Sequence, residues 1–440
     1  MNSYKTAYLL FLLLAVVLSS FGTAKCEPLS NDSLTLTGII NEVVQNHPMV
    51  KKAMEEYNAS DAKIGLAKSA NLPMVDFTSS YTRIGPISEI DVPGLGTFSF
   101  MPHDNYSAGF NLNQIISDFG KTEKSILLEQ QGKELSNQSV EQVKQKLAQL
   151  AIGNYYTLVY LQEAIKIKLE QLNTLNEHLR YIKKKQETGS ATEYEILTTQ
   201  VRISTIENQM TDLQTAIQVQ VSQLNSLLGQ PEATSHQVKL ALNLEEPSLQ
   251  SDSLMASAMK NRTELKLAQE KGKQAELRYN LTNSQNNPVI SAFASGGVKN
   301  GYTPYLYDPK ANFVAGIGLR IPILDGKRKS YNLVQAQSAI EVNNQETEIA
   351  RRAIVVEIVE AEANVEASRK KVDQSQLQLR QAIQAYSLAK VRFESGVITN
   401  LELIEGSTAL SESRLSVLKS KIDYTVNIYK LKISVGERLY

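Results

Sequence analysis

Residues 106–113 read YSAGFNLN and residues 313–320 read FVAGIGLR, and these two stretches decide the fold. In the first, Tyr106, Ala108, Phe110 and Leu112 share one face of an extended chain, while Ser107, Gly109, Asn111 and Asn113 share the other. In the second, Phe313, Ala315, Ile317, Leu319 and Ile321 stand against Asn312, Gly316, Gly318 and Arg320. Side chains alternate across a strand with period two, so each stretch is a strand with one apolar and one polar face. Strict alternation over roughly ten residues is the pattern of a membrane-spanning β-strand, apolar toward lipid and polar toward a lumen.

The two stretches are copies of each other, 207 residues apart (313 minus 106). The same offset carries Gly189 to Gly396, Glu195 to Glu402, Leu224 to Leu431 and Gly229 to Gly436. Upstream the offset is 215 (261 minus 46), relating Asn46, Pro73 and Val75 to Asn261, Pro288 and Ile290. The length of 440 residues, which alone suggests two or three domains, is therefore one unit duplicated. Repeat one is expected over 36–229, a link over 230–250 and repeat two over 251–437. The offset drops by eight between the two strand-like segments of each half, so the variable piece is a loop.

Each half reads helix, strand, loop, strand, very long helix, turn, helix. The expected spans are 36–70, 73–83, 106–116, 121–188 and 192–228, then 252–284, 289–299, 312–323, 327–394 and 399–435. At 1.5 Å per residue each long helix would measure about 100 Å. Apolar residues follow three-four spacing at Val140, Val143, Leu147, Leu150, Leu172, Leu175, Leu179 and Ile182. The partner helices do likewise at Ile203, Ile206, Met210, Leu213 and Ile217 in one half and Leu415, Leu418 and Ile422 in the other. That is the seam of an antiparallel coiled coil, closed at the Gly189-Ser190 and Gly396-Val397 turns. The fold class is mainly α with a small β part.

Four strands cannot close a barrel, because single-chain barrels need about eight. An open edge in lipid would leave amides and carbonyls without partners. A barrel, if formed, must be shared between subunits, and three copies give twelve strands while two give only eight. At the strand-to-helix junctions, Pro322, Asp325 and Gly326, with Asp118 and Gly120 in the first half, end a strand and start a helix.

Composition removes several functions. With 46 basic and 46 acidic side chains the net charge is zero, which gives no reason to expect nucleic acid. One cysteine and four scattered histidines exclude a disulfide framework and suggest no metal cluster; the expected cofactors are none. No nucleophile and base set or Gly-rich phosphate loop marks an enzyme. Lys5, the apolar run 7–18 and the small residues ending at Ala24 read as a signal peptide over 1–24, leaving 25–440. Cys26 follows Lys25, which fits a free cysteine better than a lipidated one.

The segments GIGLRIPILDGKRKSYNLVQAQSAI (316–340), GFNLNQIISDFGKTEKS (109–125), RFESGVITNLELIEGSTAL (392–410) and KQETGSATEYEILTTQ (185–200) resemble the TolC-like outer-membrane efflux proteins. The resemblance covers essentially the whole mature chain. It implies a homotrimer in the outer membrane of a Gram-negative bacterium, with a twelve-stranded barrel continued by a periplasmic helical tunnel. It also implies docking on a periplasmic adaptor and an inner-membrane pump, as the passive exit duct of a tripartite efflux or type I secretion system. The turns Gly189, Ser190, Ala191, Thr192 and Gly396, Val397, Ile398, Thr399 would meet the adaptor. Arg320, Asn111 and Asn113 would face the barrel lumen.

In the family, acidic residues matching Glu402 and Glu405 form rings at the periplasmic mouth; three apart, the two share a helical face here. Like charges brought together raise one another's pKa and attract cations. Where many members place a tyrosine and an arginine in a polar latch, this chain has Phe393 and Ile398, with Glu195 keeping an acid in the first copy. Apolar packing by Phe393 and Ile398 is the expected substitute. The rival reading is a soluble periplasmic coiled-coil adaptor or scaffold, which predicts extraction without detergent.

Overall fold

The computed structural model describes residues 34–440 apart from 233, 235, 243 and 245–249; the expected signal segment and Cys26 lie outside the described residues. The first repeat runs α1 (Leu36–Asn46), α2 (Pro48–Ser69), β1 (Met74–Arg83), β2 (Glu89–Val92), β3 (Gly96–Ser99), β4 (Asp104–Ser117), α3 (Lys121–Glu187) and α4 (Glu193–Leu228). The second runs α5 (Ser251–Asn261), α6 (Thr263–Asn283), β5 (Val289–Lys299), β6 (Lys310–Arg320), α7 (Arg328–Glu394) and α8 (Asn400–Ser434). The two long helices are 67 residues each.

The expected helices 36–70 and 252–284 are each two helices, broken at His47 and Arg262. At the first break, Pro48 opens α2, and a proline pushes the residue before it out of the helical region. His47 is extended and its Nδ1 accepts the Met49 amide at 3.1 Å. Arg262 is extended without a proline. Its guanidinium is buried, in ion pairs with Glu357 of α7 and with Glu264, whose Oε2 lies 3.0 Å from Nε.

The strands form one four-stranded antiparallel sheet in the order β1-β4-β5-β6. The register puts Phe77 opposite Phe110, Phe110 opposite Gly296 and Gly296 opposite Phe313, so one face is continuously apolar or small. The Phe77 and Phe110 rings lie 5.2 Å apart on it, and the Tyr81 and Tyr106 rings 5.1 Å apart. Gly109 stands opposite Gly297, and a Cβ at Gly109 would lie 2.8 Å from the Gly296 carbonyl oxygen, so the strands meet here only because both lack side chains. The strand expected over 312–323 instead ends at Arg320, because Pro322 has no amide for the ladder. The loop between the first two sheet strands holds an unforeseen hairpin, β2 with β3, whose turn uses Gly94 and Gly96 at φ of 87° and 90°.

Asp118 and Asp325 start the long helices as expected. Asp118 accepts the amides of Lys121 at 3.0 Å and Thr122 at 2.7 Å, and Asp325 accepts that of Lys329 at 2.9 Å. The largest core lies where α1 packs on the middle of α3. Ile39, Ile40 and Val43 meet Leu147, Ala151, Tyr155 and Leu158, together with Leu224 of α4. Burying one such side chain stabilises by about 2 kcal/mol, so this short helix is held mainly by packing. Tyr156 is buried beside them, and its hydroxyl donates to the Ala241 carbonyl at 3.1 Å, tying the link segment to the helices.

The seam of the second coiled coil differs from the expected one. The α7–α8 contact is made by Ala361 and Val365 on α7 with Tyr424, Ile428 and Leu431 on α8. Further along, buried serines take over, with Ser375 and Ser420 hydrogen-bonded at 2.7 Å. Leu418 and Ile422 turn instead to the core around α3. Helix α8 thus has two packed faces, one closing its own hairpin and one joining the repeats. In the first hairpin Leu150 is 47% exposed, off the seam on which it was expected.

Candidate functional site

The distal ends of the two helical hairpins, farthest from the sheet along the chain, are built alike. Gly189 and Gly396 take φ of 73° and 72°, a left-handed conformation that glycine adopts without strain. Each hairpin closes with the same pair of bonds. Gly189 N–H donates to Gln186 O at 2.9 Å and Ser190 N–H to Lys185 O at 2.8 Å; Gly396 donates to Phe393 at 3.0 Å and Val397 to Arg392 at 2.9 Å. The next helix opens on a capping box in both copies. Thr192 Oγ1 accepts the Glu195 amide while Glu195 Oε2 accepts the Thr192 amide at 2.7 Å, and Thr399 with Glu402 repeats this at 2.7 Å.

These bonds give Glu195 and Glu402 a local structural task. The Thr399 amide and hydroxyl hold the Glu402 carboxyl below its ordinary range, so within one subunit it is a carboxylate. That push is opposite to the one that three clustered carboxylates would exert. Glu405 is exposed on the same face of α8 and makes no cap.

Between the hairpins the contact is heterologous. Phe393 of α7 is buried against Ile182 of α3, Ile196 of α4 and Leu403 of α8, with Ala191 and Ile398 at the edge of the cluster. Phe393 also meets the His178 ring at 5.1 Å, and the Lys185 ammonium lies 5.3 Å from its centroid. Phe393 and Ile398 thus belong to one apolar cluster inside a single subunit.

Beside it is a polar link that the sequence reading missed. Asn400, the first residue of α8, is 3% exposed. Its carbonyl oxygen accepts from His178 Nε2 of α3 at 2.6 Å, and its amide donates to Glu195 O and Thr199 Oγ1 of α4, both at 3.1 Å. This polar link ties the start of α8 to α3 and α4 within one subunit. A signal for it exists, since Asn400, Leu403, Ile404, Ser407 and Ser411 form one stripe that opens on a polar residue. Burial lowers the His178 pKa, opposed by the Asn400 bond and the Glu195 charge and reinforced by Lys185. Two further contacts join the hairpins: Arg202 donates to Thr408 Oγ1, and Arg414 pairs with Glu170 at 2.6 Å.

At the sheet, Asn111, Asn113 and Arg320 share the polar face, as expected from alternation. Asn111 donates to Thr78 Oγ1 at 2.9 Å and to Asp76 at 3.4 Å on that same face. The opposite face is apolar and bare, with Phe313 85% and Ile317 77% exposed. No described helix is long and apolar enough to cross a membrane, and the described residues hold no cluster of metal-binding side chains.

Comparison with known proteins agrees with this geometry. Nodulation protein T of Rhizobium leguminosarum bv. trifolii is 19% identical over 418 residues, covering 92% of this chain and 86% of that protein. The outer membrane efflux protein BepC of Brucella suis is 20% identical over 413 residues, covering 92% and 86%. Among solved structures, the CmeC outer membrane channel of Campylobacter jejuni superposes with a TM-score of 0.77 at 17% identity, covering 94% of this chain and 90% of that one. VceC of Vibrio cholerae gives 0.75 at 16% identity, covering 92% and 97%. The family described as "Outer membrane efflux protein" matches residues 39–230 and 254–437, in other words both repeats, and the chain belongs to this family of non-enzymatic channels.

Proposed function

We propose that the chain is the outer-membrane exit duct of a tripartite efflux or type I secretion system. Three copies close a twelve-stranded barrel, and the long helices continue it into the periplasm as a tunnel through which cargo passes passively. The carrying observation is the sheet. It has two unpaired outer edges and one bare apolar face, an arrangement unstable in water through its side chains and in lipid through its edges unless it closes with other copies. The matching turns 189–192 and 396–399 form the end that meets a periplasmic adaptor and, through it, an inner-membrane pump. Glu402 and Glu405, repeated by threefold symmetry, give that mouth a preference for cations.

Purified protein in planar bilayers tests this reading. Stepwise conductance with cation selectivity is expected, and the Glu402→Gln, Glu405→Gln double variant keeps conductance but loses selectivity, glutamine preserving the capping box. A folded trimer that passes no current would overturn the duct. Release of the protein into aqueous extracts without detergent would favour the scaffold instead.

A further inference from the structure

The open edges of the sheet are β1 and β6, and the register says how they must meet. A line drawn across the ladder from Met74 passes Asn113 and Phe293 and reaches Gly316, yet β6 runs on to Arg320. The strand ends are therefore staggered by four residues (320 minus 316) across one subunit. Strand directions alternate through the sheet, so the β1 of a neighbouring copy meets β6 antiparallel. The polar face takes the even-numbered residues of both strands, from Met74 to Thr82 and from Lys310 to Arg320. A register odd in sequence would turn one polar face to lipid and is excluded.

Strand tilt leaves two registers. With a rise of about 3.3 Å per residue and a spacing of about 4.8 Å, a shift of four residues per four strands tilts them by roughly 35°. A shift of six gives roughly 46°, while two and eight give roughly 20° and 54°. Membrane barrels tilt their strands by about 35–45°. A shift of four sets Met74 opposite Arg320 and Asp76 opposite Gly318; a shift of six sets Asp76 directly opposite Arg320. In the first, Arg320 is the diagonal neighbour of Asp76, about 7–8 Å away and within reach of an arginine. In both, apolar residues meet on the other face, Phe77 facing Ile317 or Leu319.

Neither charge is met by an opposite charge within its own subunit among the described residues; Asp76 has only the Asn111 amide at 3.4 Å. We propose that Asp76 of one subunit and Arg320 of its neighbour form an ion pair on the lumen face of the seam, repeated three times around the closed barrel. This rests on the trimeric barrel proposed above. The pair fixes the edge and the parity of the register, because a slip by one residue separates the charges onto opposite faces.

Cysteine pairs and charge exchange test it in a Cys26→Ser background, which removes the single native cysteine. Asp76→Cys with Arg320→Cys, or Asp76→Cys with Gly318→Cys, is expected to give disulfide-linked dimers and trimers on non-reducing denaturing gels. Asp76→Cys with Leu319→Cys, which places the thiols on opposite faces, gives none. The single reversals Asp76→Arg and Arg320→Asp should each lose most of the heat-resistant trimer, and the double exchange should regain it. A parent protein that is monomeric by size exclusion would overturn the trimer itself. An intact trimer in which neither even-numbered pair cross-links, or in which Leu319→Cys cross-links equally, would overturn the seam. Cross-linking without recovery in the charge exchange would overturn the ion pair.

Discussion

Replacing Asn400 by alanine removes a side chain that ties three helices together at the tip. Its bonds go to His178 Nε2 at 2.6 Å, Glu195 O at 3.1 Å and Thr199 Oγ1 at 3.1 Å, with a longer one to Thr198 Oγ1 at 3.4 Å. A protein hydrogen bond contributes about 1 kcal/mol net, and a buried donor stripped of its partner costs about 1–3 kcal/mol. Thr199 keeps its own bond to the Glu195 carbonyl at 2.7 Å, so neither of those groups is orphaned. The penalty concentrates on the half-buried imidazole of His178. Helix α8 keeps its start, because Thr399 and Glu402 cap it without Asn400. The expected loss is about 2–4 kcal/mol per subunit, which multiplies local opening of the tip by roughly 30 to 1000. Hydrogen exchange of the detergent-solubilised protein reads this directly. Amides at 193–199 should lose protection by that factor while 147–158 in the main core stay unchanged. A double-mutant cycle with His178→Ala should show coupling of about 1 kcal/mol. Unchanged exchange at 193–199, or additive single effects, would refute the link.

The same imidazole gives the tip a pH dependence. Burial lowers the His178 pKa below its ordinary 6.5, so the folded tip favours the neutral ring. The unfolded form binds more protons in this window; the contribution is complete above about 6.5 and lost as pH falls below it. Protection factors at 193–199, which correct for the slower intrinsic exchange at lower pH, should therefore fall between pH 7 and 5, and His178→Gln should flatten the difference. Gly189→Ala and Gly396→Ala meet no neighbouring atom but force alanine to positive φ, and each should lower hairpin stability by about 1–2 kcal/mol in thermal melts. In the sheet, Gly297→Ala overlaps the Ala108 backbone and should abolish heat-modifiable gel migration, while Gly85→Ala, with open space around it, should not. Arg262→Met strands no buried carboxylate, since Glu264 and Glu357 reach solvent, and should destabilise less than the 3–5 kcal/mol typical of breaking a buried pair, as urea unfolding would measure.

Period and offset carried most of the fold into view. The strands of 106–113 and 313–320 were legible because one face must be apolar and the other polar, which leaves period two in the residues themselves. The turns at Gly189 and Gly396 were legible because each hairpin needs its own, whereas the capping boxes at Thr192 and Thr399 emerged only with the structure. Pro48 marks the break at His47, whereas the break at Arg262 has no proline beside it, and the buried guanidinium there pairs with Glu357 of α7, almost a hundred residues away, which leaves no local trace. The α7–α8 seam was misplaced for a related reason. Serines such as Ser375 and Ser420 let two helices approach closely, yet read singly they look like surface residues.

The tip shows why duplication predicts some contacts and misses others. A feature internal to each hairpin recurs at 207, because both copies solve the same local problem: Gly189 with Gly396, Thr192 with Thr399, Glu195 with Glu402. A contact between the hairpins has no such symmetry, since α8 packs on α3 and α4 while its counterpart α4 is the surface it packs upon. The same repeat position must then serve on opposite sides of one interface. Asn400 corresponds to the exposed Glu193, Phe393 to the exposed Gln186, and His178 to the exposed Ala385. Each of these buried or half-buried residues thus has an exposed counterpart in the other copy. Grafting Asn400 onto position 193 should accordingly leave exchange at the tip unchanged, because nothing on that side of the interface waits to be bound.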